Sequence, residues 1–147
     1  MAIGKFSPQK PANVLLVEDN LGDIRLMQEA LRDTGSLIHV TRDGEQALKF
    51  LRQESPYQKA PRPEMVLLDL NLPRKGGREV LASVKEDPLL RHIPILVLST
   101  STSEEDIGRA YALHANCYIP KALDMEALAQ ISKLIETWLC TVILPAA

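Results

Sequence analysis

The 147-residue sequence predicts an α/β fold, a five-stranded parallel sheet doubly wound with five helices. Three observations carry that prediction. Short continuous apolar runs alternate with stretches whose apolar residues recur at helical spacing. The runs lack the polar alternation of half-exposed strands and so read as parallel strands covered on both faces. The polar residues able to do chemistry fall at the carboxyl ends of these runs, where open parallel sheets bind ligands.

Residues 1 to 12 read as a polar leader containing Pro8 and Pro11. Val14 to Val17 is the first strand, ending in Glu18-Asp19. From Leu21 the period changes: Leu21, Ile24, Met27 and Leu31 define a helix that Asp19 or Asn20 can cap. Ile38 and Val40 suggest a second strand at an edge, and Gly44 to Gln53 a helix with Ala47, Leu48 and Leu51 on one face. After a proline-containing loop, Ser55 to Glu64, the run Met65-Val66-Leu67-Leu68 delivers Asp69 onto a turn. Gly76-Gly77 precedes a helix bearing Val80, Leu81 and Val84 that stops near Asp87-Pro88. Ile95 to Leu98 is the fourth strand and ends in Ser99-Thr100. Ser103 caps the next helix, whose first turn holds Glu104, Glu105 and Asp106. Cys117 to Ile119 is the fifth strand and leads through Pro120 to Lys121. The last helix runs from about Asp124 to Leu139. The organisation is a leader (1–12), one domain (13–139) and an apolar tail (140–147).

Composition narrows the function. The 17 basic and 19 acidic residues are interspersed, with a formal net charge of −2, and no basic stripe marks a nucleic-acid reader. No run approaches the length needed to cross a membrane, and the N-terminus lacks the apolar centre of a signal peptide. A cytoplasmic location is expected. Cys117 and Cys140 have no CxxC spacing and read as reduced structural cysteines. His39, His92 and His114 are scattered and read as structural or surface residues. Gly76-Gly77 reads as a turn, since neither GxGxxG nor a Walker-type lysine accompanies it.

Glu18, Asp19 and Asp69 brought together at strand ends would repel one another, and a hard divalent cation, Mg²⁺, is the simplest remedy. An Asp carboxylate can also attack phosphorus and form an aspartyl-phosphate. Charge then spreads over the phosphoryl oxygens, so a cation and hydrogen-bond donors do most of the catalysis. Lys121 and Ser99 supply them.

Val14-Leu15-Leu16-Val17-Glu18-Asp19-Asn20, Leu68-Asp69-Leu70-Asn71-Leu72-Pro73, Leu98-Ser99-Thr100 and Tyr118-Ile119-Pro120-Lys121 occur in an order and spacing that resemble the response-regulator receiver domain of two-component signalling, a flavodoxin-like fold. The resemblance spans about residues 13 to 139. It implies that Asp69 is the phosphoacceptor and that Asp19 and Asp69 ligate Mg²⁺ with the backbone carbonyl of Asn71, Glu18 acting through water. It further implies that Ser99, Thr100, Asn71 and Lys121 surround the phosphoryl group and that Ser99 and Tyr118 form the switch. The donor would be a histidine kinase. Ala60-Pro61-Arg62-Pro63, Gly77-Arg78-Glu79-Val80-Leu81, Ala115-Asn116-Cys117-Tyr118-Ile119 and Trp138-Leu139 resemble the stand-alone receivers of cyanobacterial and bacterial phytochrome kinases. Two positions depart from the family pattern. Gly76 stands where many receivers have an acid, which predicts a more mobile loop. Ala122 replaces the usual proline, and because a cis bond before alanine costs about 3 kcal/mol more than trans, the expectation is a strained Lys121–Ala122 peptide or a rebuilt loop.

Plainer readings exist for single motifs. Glu18-Asp19 alone is a helix cap with its neighbour, Ser99 to Thr102 a loop of turn formers, and Tyr118 a core aromatic. The convergence of Glu18, Asp19, Asp69 and Lys121 outweighs them. The leading class is a phosphoryl-accepting switch that catalyses its own phosphorylation and dephosphorylation without turning over a separate substrate. An aspartate-nucleophile phosphatase would place an acid two residues after the nucleophile, where this chain has Asn71. The third class is a phosphorylation-independent binding module. In the last helix Met125, Leu128, Ile131, Leu134, Ile135, Trp138 and Leu139 span about 180°, wider than a single core stripe. The tail continues with the apolar run Val142-Ile143-Leu144, which either folds back on its own domain or, as the preferred expectation, joins that helix, the fourth helix and the fifth strand in a homodimer.

Overall fold

The computed structural model describes residues 11–72, 76–121 and 124–141. Five strands, β1 (Asn13–Val17), β2 (Leu37–Thr41), β3 (Met65–Asp69), β4 (Ile95–Ser99) and β5 (Cys117–Pro120), alternate with helices α1 (Leu21–Leu31), α2 (Gly44–Arg52), α3 (Gly77–Glu86), α4 (Glu104–Ala112) and α5 (Met125–Thr141). The strands form one parallel sheet in the order β2-β1-β3-β4-β5. Strand order reverses at β1 and β3, and Val17 pairs with Leu68 at the carboxyl end of that junction. Such a switch point opens a crevice beyond the strand ends.

Alternate strand residues feed two cores because successive side chains point to opposite faces. Leu15, Val17, Val66, Leu68, Ile95 and Val97 pack with α2, α3 and Ala110 of α4. Val14, Leu16, Met65, Leu67, Leu96 and Leu98 pack with α1 and α5. Both faces of the central strands are thus covered, and β1, β3 and β4 need no polar alternation.

Helix starts are set by side chains that accept otherwise orphaned N–H groups. Asn20 Oδ1 accepts from the Asp23 N–H at 3.0 Å, so Asn20 rather than Asp19 caps α1 and leaves Asp19 free for the crevice. Asp43, Ser103 and Asp124 play the same part for α2, α4 and α5. A 3₁₀ turn, Arg32–Thr34, follows α1 and ends at Gly35, whose φ of 75° suits glycine.

Three sequence expectations need correction. Leu21 does not share the buried face of α1: it is 58% exposed, because the helix begins beyond the strand ends and its first residue overhangs the sheet. Helix α2 ends at Arg52, one residue earlier than expected, with Gln53 in the left-handed region at φ 57°. Helix α5 starts at Met125 and continues to Thr141, into the segment assigned to the tail, since neither Gly nor Pro stops it there. Residues 1–10 of the leader, 142–147 of the tail, Pro73 to Lys75 and Ala122 lie outside the described residues, and with Ala122 the expectation for the Lys121–Ala122 peptide.

Candidate functional site

Glu18 and Asp19 follow directly from β1, Asp69 ends β3, Ser99 ends β4 and Lys121 follows β5. Parallel register brings these ends to one rim. Lys121 N–H donates to the Ser99 carbonyl at 2.7 Å, which fixes the end of β5 beside that of β4 and aims the lysine stem across the crevice.

The ammonium reaches three carboxylates. Lys121 Nζ lies 2.8 Å from Asp23 Oδ2 and 3.1 Å from Asp69 Oδ2 and also pairs with Glu18 Oε1. Glu18, Asp69 and Ser99 are buried, at 1%, 3% and 2% exposure. The other Glu18 oxygen accepts from the N–H groups of Asp19 and Asn20 at 3.1 and 3.3 Å, and the Asn71 N–H donates to Asp69 Oδ1 at 3.0 Å. Arg42 donates to the Asp19 carbonyl at 2.9 Å and steadies that turn. Burial, followed by proximity to Asp69, pushes the Glu18 carboxyl up to about 7 against the pull of Lys121. Burial works against the Lys121 ammonium, but Asp23 and Glu18, with Asp69, outweigh it and raise its pKa.

Glu18, Asp19 and Asp69 each offer an oxygen, all within 4.8 Å of one another. A donor set of hard oxygens at this separation fits a hard divalent cation that retains waters. The fit is chemical as well as geometric, since crowded buried carboxylates need positive charge and Lys121 alone brings one unit.

The remaining expected residues surround this centre. Thr100 and Asn71 are exposed at its mouth. Tyr118 stands apart from the carboxylates: its hydroxyl donates to the Ser101 carbonyl at 2.7 Å, while its side chain packs on the α2–α3 core. Ser101, which reads in the sequence as a turn former, makes further bonds. Its N–H donates to Ser99 Oγ at 3.2 Å and its hydroxyl to Asp106 Oδ2 at 2.6 Å. Asp106 in turn accepts from Arg78 at 2.9 Å, so α3 and α4 are tied across the mouth. Sequence reasoning also missed Asp23. Its signal was there, four residues beyond Asp19 in the first turn of a helix rooted at the site, but an acid there is accounted for by the helix dipole alone.

Close approach explains why α3 begins with Gly77. A Cβ at Gly77 would sit 2.5 Å from Leu70 Cα and 2.6 Å from the Asp69 carbonyl oxygen. Only glycine allows the helix to start against the turn that carries Asp69.

Acids at the switch point of an open parallel sheet, held around one lysine, define a phosphoacceptor signalling domain. The chain belongs to the response regulator receiver domain family, whose model matches residues 14–133. It is 48% identical over 141 residues to the response regulator Rcp1 of Synechocystis sp. (strain ATCC 27184 / PCC 6803 / Kazusa), covering 93% of this chain and 95% of that protein. It resembles the crystal structure of the Mn(2+)-bound form of Rcp1, with a TM-score of 0.85 at 47% identity over 92% of this chain and 100% of that one. It likewise resembles the phosphorylated cyanobacterial phytochrome response regulator RcpA, with a TM-score of 0.87 at 50% identity over 93% and 100%. Receivers bind a divalent metal at an acidic pocket of this kind. A histidine kinase is the partner class the family implies. Among the described residues no helix is long and apolar enough to cross a membrane.

Proposed function

We propose that this receiver accepts a phosphoryl group on Asp69 from a phytochrome-type histidine kinase and signals through a protein contact or a phosphorelay. The observation that carries the reading is the buried Asp69 carboxylate, 3.1 Å from Lys121 Nζ and grouped with Glu18 and Asp19. In the transfer an Asp69 oxygen attacks phosphorus, the new P–O bond forms as the P–N bond of phosphohistidine breaks, and the electron pair leaves with the imidazole. Lys121 and Ser99 donate to the phosphoryl oxygens, where charge develops. Asp19, Asp69 and the Asn71 carbonyl would hold Mg²⁺, with Glu18 acting through water. When bound, that ion neutralises phosphoryl charge and aligns the transfer. Thr100 and Asn71 flank the phosphoryl group, and Ser99 with Tyr118 is the switch. The kinase type rests on the similarity to Rcp1 and RcpA and on the red-light signalling regulator RPA3017 of R. palustris, 32% identical with a TM-score of 0.84.

The protein catalyses its own phosphorylation and hydrolysis and turns over no separate substrate. A cytoplasmic location suits such a partner. A homodimer through α5, the tail, α4 and β5 is supported by Leu134, 39% exposed, and by a shallow groove of about 310 Å³ that it lines with Ile119, Pro120 and Ile131.

The test is phosphorylation by acetyl phosphate read by intact mass. The native chain gains one phosphoryl group with Mg²⁺ and none without it, and Asp69→Asn gains none in either case. Equal labelling of Asp69→Asn would defeat the assignment.

A further inference from the structure

Lys121 has three N–H donors and three carboxylate partners, but the partners are not equivalent. Glu18 and Asp69 belong to the group whose oxygens lie within 4.8 Å of one another. Asp23 does not, although its Oδ2 is 2.8 Å from Nζ, closer than the 3.1 Å of Asp69. Asp23 approaches from the first turn of α1, and its side chain is 19% exposed against 8% for Lys121. A divalent cation and the ammonium therefore compete for Glu18 and Asp69, whereas Asp23 binds only the ammonium. Were Glu18 and Asp69 its only partners, yielding them would leave a buried unpaired charge, which is strongly disfavoured. With Asp23 present, a charge-assisted bond persists after the exchange.

We propose that Asp23 is a positioning residue: it anchors the Lys121 ammonium outside the cation's ligand set, so that Asp69 is released to the metal and Glu18 to the water through which it acts. The proposal rests on the reading of Glu18, Asp19 and Asp69 as the cation site. It differs from the plainer role of Asp23 as an acid complementing the N-terminus of α1, which would affect helix stability but not metal affinity.

The experiment is Mn²⁺ binding to the unphosphorylated chain, followed by the electron paramagnetic resonance of free Mn²⁺, for the native protein, Asp23→Asn, Asp23→Glu, Lys121→Met and the double variant Asp23→Asn/Lys121→Met. Asp23→Asn is expected to weaken Mn²⁺ binding about tenfold, the scale of one charge-assisted bond. Asp23→Glu, which keeps the carboxylate, recovers most of the loss. In the Lys121→Met background the same Asp23→Asn change costs less than about threefold, the part due to long-range charge alone. Equal losses in the two backgrounds, or native affinity in a folded Asp23→Asn protein, would overturn the proposal while leaving the cation site standing. No Mn²⁺ binding by the native chain would overturn the site and the proposal together.

Discussion

Glu18, 1% exposed and beside Asp69, has its carboxyl pKa raised from 4.5 to about 7, mainly by burial. An acid whose pKa is raised on folding contributes stability that is complete below its unfolded value and lost as pH rises through the folded one. The metal-free protein should therefore lose on the order of 1 kcal/mol of stability from this group between about pH 6 and 8. Urea unfolding in chelator checks it: native and Glu18→Gln curves diverge with pH, and the variant is the more stable at pH 8. The same variant binds divalent cations more weakly, so its stability rises as its site fails. At this scale Glu18, Asp19, Asp69, Ser99 and Lys121 were legible because each is a polar residue terminating an apolar run. Asp23, Arg78 and Ser101 were not, because each sits where helix or turn chemistry already accounts for its type. Their connections depend on how α1, α3 and α4 seat on the sheet, which no local pattern states.

Among the elements, α3 is seated directly against the turn that carries Asp69. Its N-terminus abuts the acceptor turn through Gly77, and Gly77 N–H donates to the Leu70 carbonyl at 3.3 Å. Gly77→Ala should cost about 1–3 kcal/mol, as overpacking does, and should slow acetyl-phosphate labelling by displacing Asp69. Unchanged labelling in a destabilised variant would separate helix seating from acceptor geometry. Gly76-Gly77 was legible in the sequence as a break but not as a steric necessity, since close approach belongs to the tertiary structure. The strands were legible nearly to the residue because β1, β3 and β4 are each built on an unbroken apolar run, Val14–Val17, Met65–Leu68 and Ile95–Leu98, with one polar residue at an end. Helix ends were less so: α5 runs to Thr141, past the point where its amphipathic pattern loses definition. Lys85 illustrates packing that leaves no mark in the sequence. Its ammonium, whose pKa burial lowers, donates to the carbonyls of Arg91 and Ile93 and to Asn116 Oδ1 at 3.1, 2.9 and 2.9 Å, joining α3 to the loops at the amino end of the sheet.

For the molecule as a whole, α5 divides its apolar residues. Leu128, Ile131, Ile135 and Leu139 are buried against the sheet, while Met125 and Leu134 are 80% and 39% exposed. The wide arc read from the sequence is thus met only in part by the helix's own core. If a second copy covers the rest, Leu134→Lys should convert a dimer at tens of micromolar into a monomer by sedimentation velocity with little change in unfolding temperature. A native chain that sediments as a monomer with and without phosphorylation would remove the dimer from the account.

Ser101 commits its N–H to Ser99, its carbonyl to the Tyr118 hydroxyl and its own hydroxyl to Asp106, which also holds Arg78. It is a branch point with one arm toward the phosphoryl pocket and the others toward β5, α4 and α3. A displacement of Ser99 loads every arm at once. News of phosphorylation would then leave the pocket as a broadcast, and partners reading different faces of the domain would receive it in synchrony.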